Sequence, residues 1–123
     1  MENNLTPLME ACRFGWAHEV REILVNDVDP NERNSEGNTV LWLACYSNSF
    51  EIIRLLIQYG ANVNNRNNEG VTSLMYASSS GKSEVVNALL ELGADPSLES
   101  KDGFTALELA ASYEVLSLLR KVA

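Results

Sequence analysis

A chain of 123 residues has room for one compact domain or one short repeat array, and an apolar fraction of 46% suffices to build a core. The formal charge of -8 disfavours phosphate backbones and anionic membrane surfaces, so neither nucleic acid nor membrane is expected as a partner. With no apolar run near the ~20 residues of a membrane span, no leader-like N-terminus and only two cysteines, a soluble, cytoplasmic protein is expected.

The first expected element is a short helix from Thr6 to Phe14. Thr6 is a good N-cap and Pro7 suits the first helical position. Leu8 and Ala11 give one apolar stripe, and Gly15 can adopt the left-handed conformation that stops the helix. A second helix follows, and Asp27 lies beyond its end. The same pattern then returns as Thr39-Val40-Leu41-Trp42-Leu43-Ala44, Thr72-Ser73-Leu74-Met75-Tyr76-Ala77 and Thr105-Ala106-Leu107-Glu108-Leu109-Ala110, each 33 residues after the last. A first helix is expected after each threonine. Gly37, Gly70 and Gly103 keep the same period, as do Gly60 with Gly93 and Gly15 with Gly81.

The second helix of the second unit carries Ile52/Ile53 and Leu55/Leu56/Ile57, and that of the third carries Val85/Val86 and Leu89/Leu90. This spacing is helical rather than strand-like. Gly60 and Gly93 are expected to end these helices, with Asp27 in the same slot of the first unit. Ala61-Asn62-Val63-Asn64 and Ala94-Asp95-Pro96-Ser97, then Glu69-Gly70 and Asp102-Gly103, supply the turn residues of projecting hairpin-like loops. The fourth unit is shorter. Glu114-Val115-Leu116 follows Glu51-Ile52-Ile53 by 63 residues instead of 66, so three residues are missing between its helices.

Such helix-turn-helix units cannot bury their apolar faces alone, whereas stacked copies can. The Thr-Pro-Leu-x-x-Ala segments and the run Glu51-Ile52-Ile53-Arg54-Leu55-Leu56-Ile57-Gln58-Tyr59-Gly60-Ala61-Asn62-Val63-Asn64, at this period, resemble the ankyrin repeat over essentially the whole chain. The residue after Thr-Pro-Leu, a histidine in the family, is Met9, Trp42, Met75 and Glu108 here. The resemblance implies an all-α ankyrin-repeat solenoid of stacked helix-turn-helix units joined by β-hairpin-like loops. Residues 1–123 would form a single domain with repeats at approximately 1–33, 34–66, 67–99 and 100–123. Glu10, Glu19 and Glu22 replace apolar residues of the later units, and Arg120 replaces Leu24, Ile57 and Leu90. Polar ends suit the two caps of a complete array.

The resemblance also implies a protein partner, bound through the hairpin tips and the concave face of the first helices. Matching positions in the first unit are Asn3, Leu5, Arg13, Phe14, Asn26 and Arg33. The second supplies Ser35, Glu36, Asn38, Tyr46, Ser47, Tyr59 and Arg66, and the third Asn68, Glu69, Val71, Ser79, Ser80, Leu92 and Glu99. The fourth adds Lys101, Asp102, Phe104, Ser112 and Tyr113. Arg13, Phe14, Trp42, Tyr46, Arg66, Phe104 and Tyr113 are of the types that dominate interface energies. Trp42, Tyr59 and Phe14 are equally plausible as packing residues. Phe104 occupies a tip slot held elsewhere by Leu5, Asn38 and Val71, where a large ring has little core to fill.

Residues 1–33 carry seven acids against three bases and residues 67–99 five against one, a pattern that a solvated surface explains by default and that leaves room for a partner with a basic face. The free chain is expected to be a monomer. No enzyme, cofactor or metal site is expected. His18 is the single histidine, no phosphate-binding glycine loop is present, and Cys12 and Cys45 hold one slot a period apart, as inert core thiols would. An adaptor that recruits a partner and a stoichiometric inhibitor or immunity-type protein that occludes an enzyme both fit this sequence.

Overall fold

The first helix of each of three repeats begins where a threonine hydroxyl can accept an otherwise unpartnered main-chain N–H. In the computed structural model, which describes residues 5–122, Thr6, Thr39 and Thr72 accept from the N–H groups of Met9, Trp42 and Met75. The helices that follow are α1 (Pro7–Phe14), α3 (Val40–Tyr46) and α5 (Ser73–Ser79), paired with α2 (Ala17–Leu24), α4 (Phe50–Gln58) and α6 (Ser83–Glu91). The last helix is α7 (Tyr113–Lys121). No strand longer than an isolated bridge occurs among the described residues. The fold is an all-α repeat solenoid.

The alanine that closes each of the first three Thr-x-Leu-x-x-Ala motifs sets up the second helix through its main chain. Its carbonyl accepts the N–H of the residue opening the second helix: Trp16 N to Ala11 O at 2.9 Å, Ser49 N to Ala44 O at 3.0 Å and Lys82 N to Ala77 O at 3.0 Å. A left-handed residue precedes each of these donors, with φ 78° at Gly15, 58° at Asn48 and 69° at Gly81. Asp27 at φ 68° likewise adopts the positive φ of its counterparts Gly60 and Gly93.

The chain divides between Asn62 and Val63 into two compact units. In the first, α1 packs on α2 and α3, and α4 packs on α2 and α3. Leu8, Val20, Val40, Leu41, Ile52, Ile53 and Leu56 are buried there, with the Cys12 and Cys45 thiols among them. Ser47 Oγ donates to Cys12 O at 2.9 Å, joining the two first helices. The second unit packs α6 against α5 and α7 around Leu74, Met75, Val85, Val86, Leu89, Val115 and Leu119.

The expected first helix of the fourth unit does not form. Thr105 begins one as well as any cap could. Its N–H donates to Glu108 Oε1 at 2.9 Å and its hydroxyl accepts from Glu108 N at 3.3 Å, a capping box. Residues 106–109 make one turn and stop, because α7 must start at Tyr113 and the three missing residues leave no room for helix plus connection. Backbone bonds hold the segment in place of helix packing: Ala111 N donates to Ser78 O at 3.1 Å, and Ser78 Oγ donates to Ala106 O at 2.6 Å.

Three hairpin-like turns repeat at the period. Asn34, Asn67 and Ser100 each accept the N–H of Gly37, Gly70 or Gly103 at 2.9 Å. Isolated antiparallel bridges flank two of them, Arg33 with Thr39 and Arg66 with Thr72. The longer loops are tied by asparagine side chains. Asn62 N donates to Asn31 Oδ1 and Asp95 N donates to Asn64 Oδ1, both at 2.8 Å.

Candidate partner-binding surfaces

On the first unit, α1 and α3 lie side by side and carry three of the six aromatic candidates, Phe14, Trp42 and Tyr46. Trp42 and Tyr46 are four positions apart on α3, about one helical turn, so their rings stack with centroids 5.8 Å apart. Trp42 is half-buried and Tyr46 is 50% exposed. On α1 the Arg13 guanidinium sits 5.3 Å from the centre of the Phe14 ring, and Phe14 is 53% exposed. Trp16, which position matching misses, lies against Phe14 with centroids 5.4 Å apart and is 47% exposed. Its one sequence signal is a tryptophan directly after the glycine that stops α1. Tyr59 is exposed at the end of α4. The pairs Phe14–Trp16 and Trp42–Tyr46 present aromatic surface on neighbouring helices.

The first hairpin separates its candidates. Arg33 donates to Gly37 O at 2.9 Å and so braces the turn while remaining exposed, and Glu36 is exposed beside it. Asn38 is only 6% exposed. Its N–H donates to Asn34 Oδ1 at 3.0 Å and its side chain reaches Glu36 Oε1 at 3.5 Å, so it serves the turn rather than offering itself to solvent. Asn3 lies outside the described residues.

On the second unit Arg66, Glu69, Lys101 and Asp102 are exposed along two successive turns, while Val71 is half-buried. Lys101 N donates to Glu69 O at 3.0 Å and joins these turns. Phe104 is 47% exposed, whereas Asn38 and Val71 in the same slot are buried and half-buried. Behind the tips, Asp95 is held below the usual carboxylate range, first by the side-chain and main-chain hydrogen bonds from Ser97 and further by the charge of Arg66. Tyr113 is displaced from its expected place. It should face the partner from a first helix, but that helix is absent and Tyr113 is instead the first residue of α7, 77% exposed.

No group of three or more histidine, cysteine or acidic residues able to hold a metal occurs among the described residues, and no helix there is long and apolar enough to cross a membrane. Burial, then the charge of Glu32, pushes the Cys12 thiol up to about 12, so it is protonated and un-nucleophilic at neutral pH. What these surfaces offer is exposed aromatic and charged area. A sequence model of the family described as ankyrin repeats (3 copies) matches residues 8–100 and, overlapping them, residues 64–122. Repeats of this family are in general protein–protein interaction modules and typically not enzymes.

Proposed function

The chain belongs to the ankyrin-repeat family, and from that premise we propose that it acts by binding a partner protein through the exposed faces of its first helices and its hairpin tips. The observation that carries this reading is the set of exposed aromatic residues that no core requires: Phe14, Tyr46 and Phe104, with Trp42 stacked behind Tyr46. Aromatic and arginine anchors dominate interface energies, and Arg13, Arg33, Arg66 and Lys101 stand among them. Glu36, Glu69 and Asp102 add carboxylates at the tips, and with a net charge of -8 they favour a partner with a basic face. In this reading residues 1–123 work as a single domain, monomeric when free and cytoplasmic, binding without turnover.

The test is affinity capture at moderate salt with wild type and the Tyr46→Ala/Phe104→Ala variant, followed by titration calorimetry with the captured protein. The variant is expected to bind at least about tenfold more weakly, the loss of one interface anchor or more, with its melting temperature unchanged. Equal binding would remove this surface from the reading, and a fall in melting temperature would make the rings packing residues. The same titration separates adaptor from stoichiometric inhibitor. An inhibitor abolishes the partner's activity at equimolar addition, whereas an adaptor leaves it intact.

A further inference from the structure

On the second-helix side of the first unit, α2 and α4 are joined by an ion pair, Arg21 Nη2 lying 3.2 Å from Glu51 Oε2. The second unit repeats the arrangement with α6 and α7, and the register of the repeats gives the counterparts. Asn87 holds the slot of Arg21, and Glu114 that of Glu51. The carboxylate is kept and its cation is gone. Between α6 and α7 lies an open groove of about 420 Å³ whose walls include Glu84, Asn87, Tyr113, Glu114 and Leu118, with no basic side chain among them. Neither Glu84 nor Glu114 forms an ion pair among the described residues. The shortening of the fourth unit is what sets Tyr113 here, among the residues that line the groove.

We propose that this groove is a docking site for an arginine side chain presented by a partner peptide. The chemistry is that of the first unit, with the guanidinium supplied in trans. A planar guanidinium can address two carboxylates at once and stack its face on a tyrosine ring, while its aliphatic stem lies along apolar wall such as Leu118. Asn87 is short and neutral, so it leaves open the space that Arg21 fills in the first unit. The groove is formed by second helices, so this site stands or falls independently of the first-helix and hairpin surfaces proposed above.

The test is a nuclear magnetic resonance titration of the full chain with the blocked dipeptide acetyl-Arg-Leu-amide, beside its neutral isostere acetyl-citrulline-Leu-amide. The arginine peptide is expected to give saturable shifts at the amides of Glu84, Asn87, Tyr113 and Glu114. The citrulline peptide should bind roughly fivefold more weakly, as for a solvent-accessible charge pair. Glu84→Gln/Glu114→Gln should weaken the arginine peptide by a similar factor. Asn87→Arg, which reproduces in the second unit the ion pair of the first, should keep the fold and abolish saturable binding. Equal shifts from both peptides, no shift from either, or undiminished binding in folded Asn87→Arg would overturn the proposal.

Discussion

The Ser78 side chain, fully buried, donates to Ala106 O at 2.6 Å, while its own carbonyl accepts from Ala111 N. Ser78 occupies the slot of Cys12 and Cys45. In those copies a small apolar side chain is enough, because a complete first helix lies alongside. Beside Ser78 there is only a single turn, and the hydroxyl substitutes for missing packing. Ser78→Ala is therefore expected to destabilise the chain by about 1–2 kcal/mol, measured by urea denaturation, more than the usual change for removing one hydroxyl from a surface. Cys12 makes a prediction in pH. Its thiol is raised from 9.0 to about 12 in the folded chain, first by burial. Below pH 9 both states keep the proton and this contribution to stability is fully present. As pH rises from 9 towards 12 the unfolded chain releases a proton that the folded chain retains, so stability falls. Cys12→Ala should flatten this alkaline limb, and the native thiol should resist alkylation at pH 8 until the chain is unfolded.

Among elements, the hairpin turns discriminate between space and strain. Gly70 and Gly103 both have positive φ, 76° and 86°. A Cβ on Gly70 would stand 2.8 Å from Lys101 N, the atom that joins the second and third hairpins, whereas one on Gly103 meets nothing within 4 Å. Gly103→Ala should cost about 1–2 kcal/mol for the left-handed backbone alone, and Gly70→Ala distinctly more, as read by shifts in melting temperature. The turns, caps and stops were legible in sequence because each depends on neighbours within a few residues. The caps at Thr6, Thr39 and Thr72 and the left-handed Gly15, Gly60, Gly81 and Gly93 lie where they are expected. What was not legible came from competition between signals. Thr105 and Glu108 form a complete capping box, yet the helix they announce stops after one turn, because α7 claims the residues it needs. Tyr113 moved with that change. Trp16 escaped notice since position matching covers the first helices and tips and not the turn between helices, and the burial of Asn38 follows from hydrogen bonding inside its own turn.

At the scale of the molecule, both tryptophans, Trp16 and Trp42, belong to the first compact unit, whereas helices are present in both. Tryptophan fluorescence therefore reports the first unit and far-ultraviolet circular dichroism reports both. If the four repeats act as the single domain proposed above, the two probes should give coincident urea transitions; separated midpoints would mean that the units unfold independently. The asparagine ties of the long loops bear on a different property. A protease must draw a loop out into extended chain before cutting it, and exposed loop tips are where chains are usually nicked. In each unit one long loop takes a hydrogen bond from the next, at Asn31 and again at Asn64, so pulling out either loop means breaking a bond anchored in the other. These ties would let backbone that no core covers resist scission.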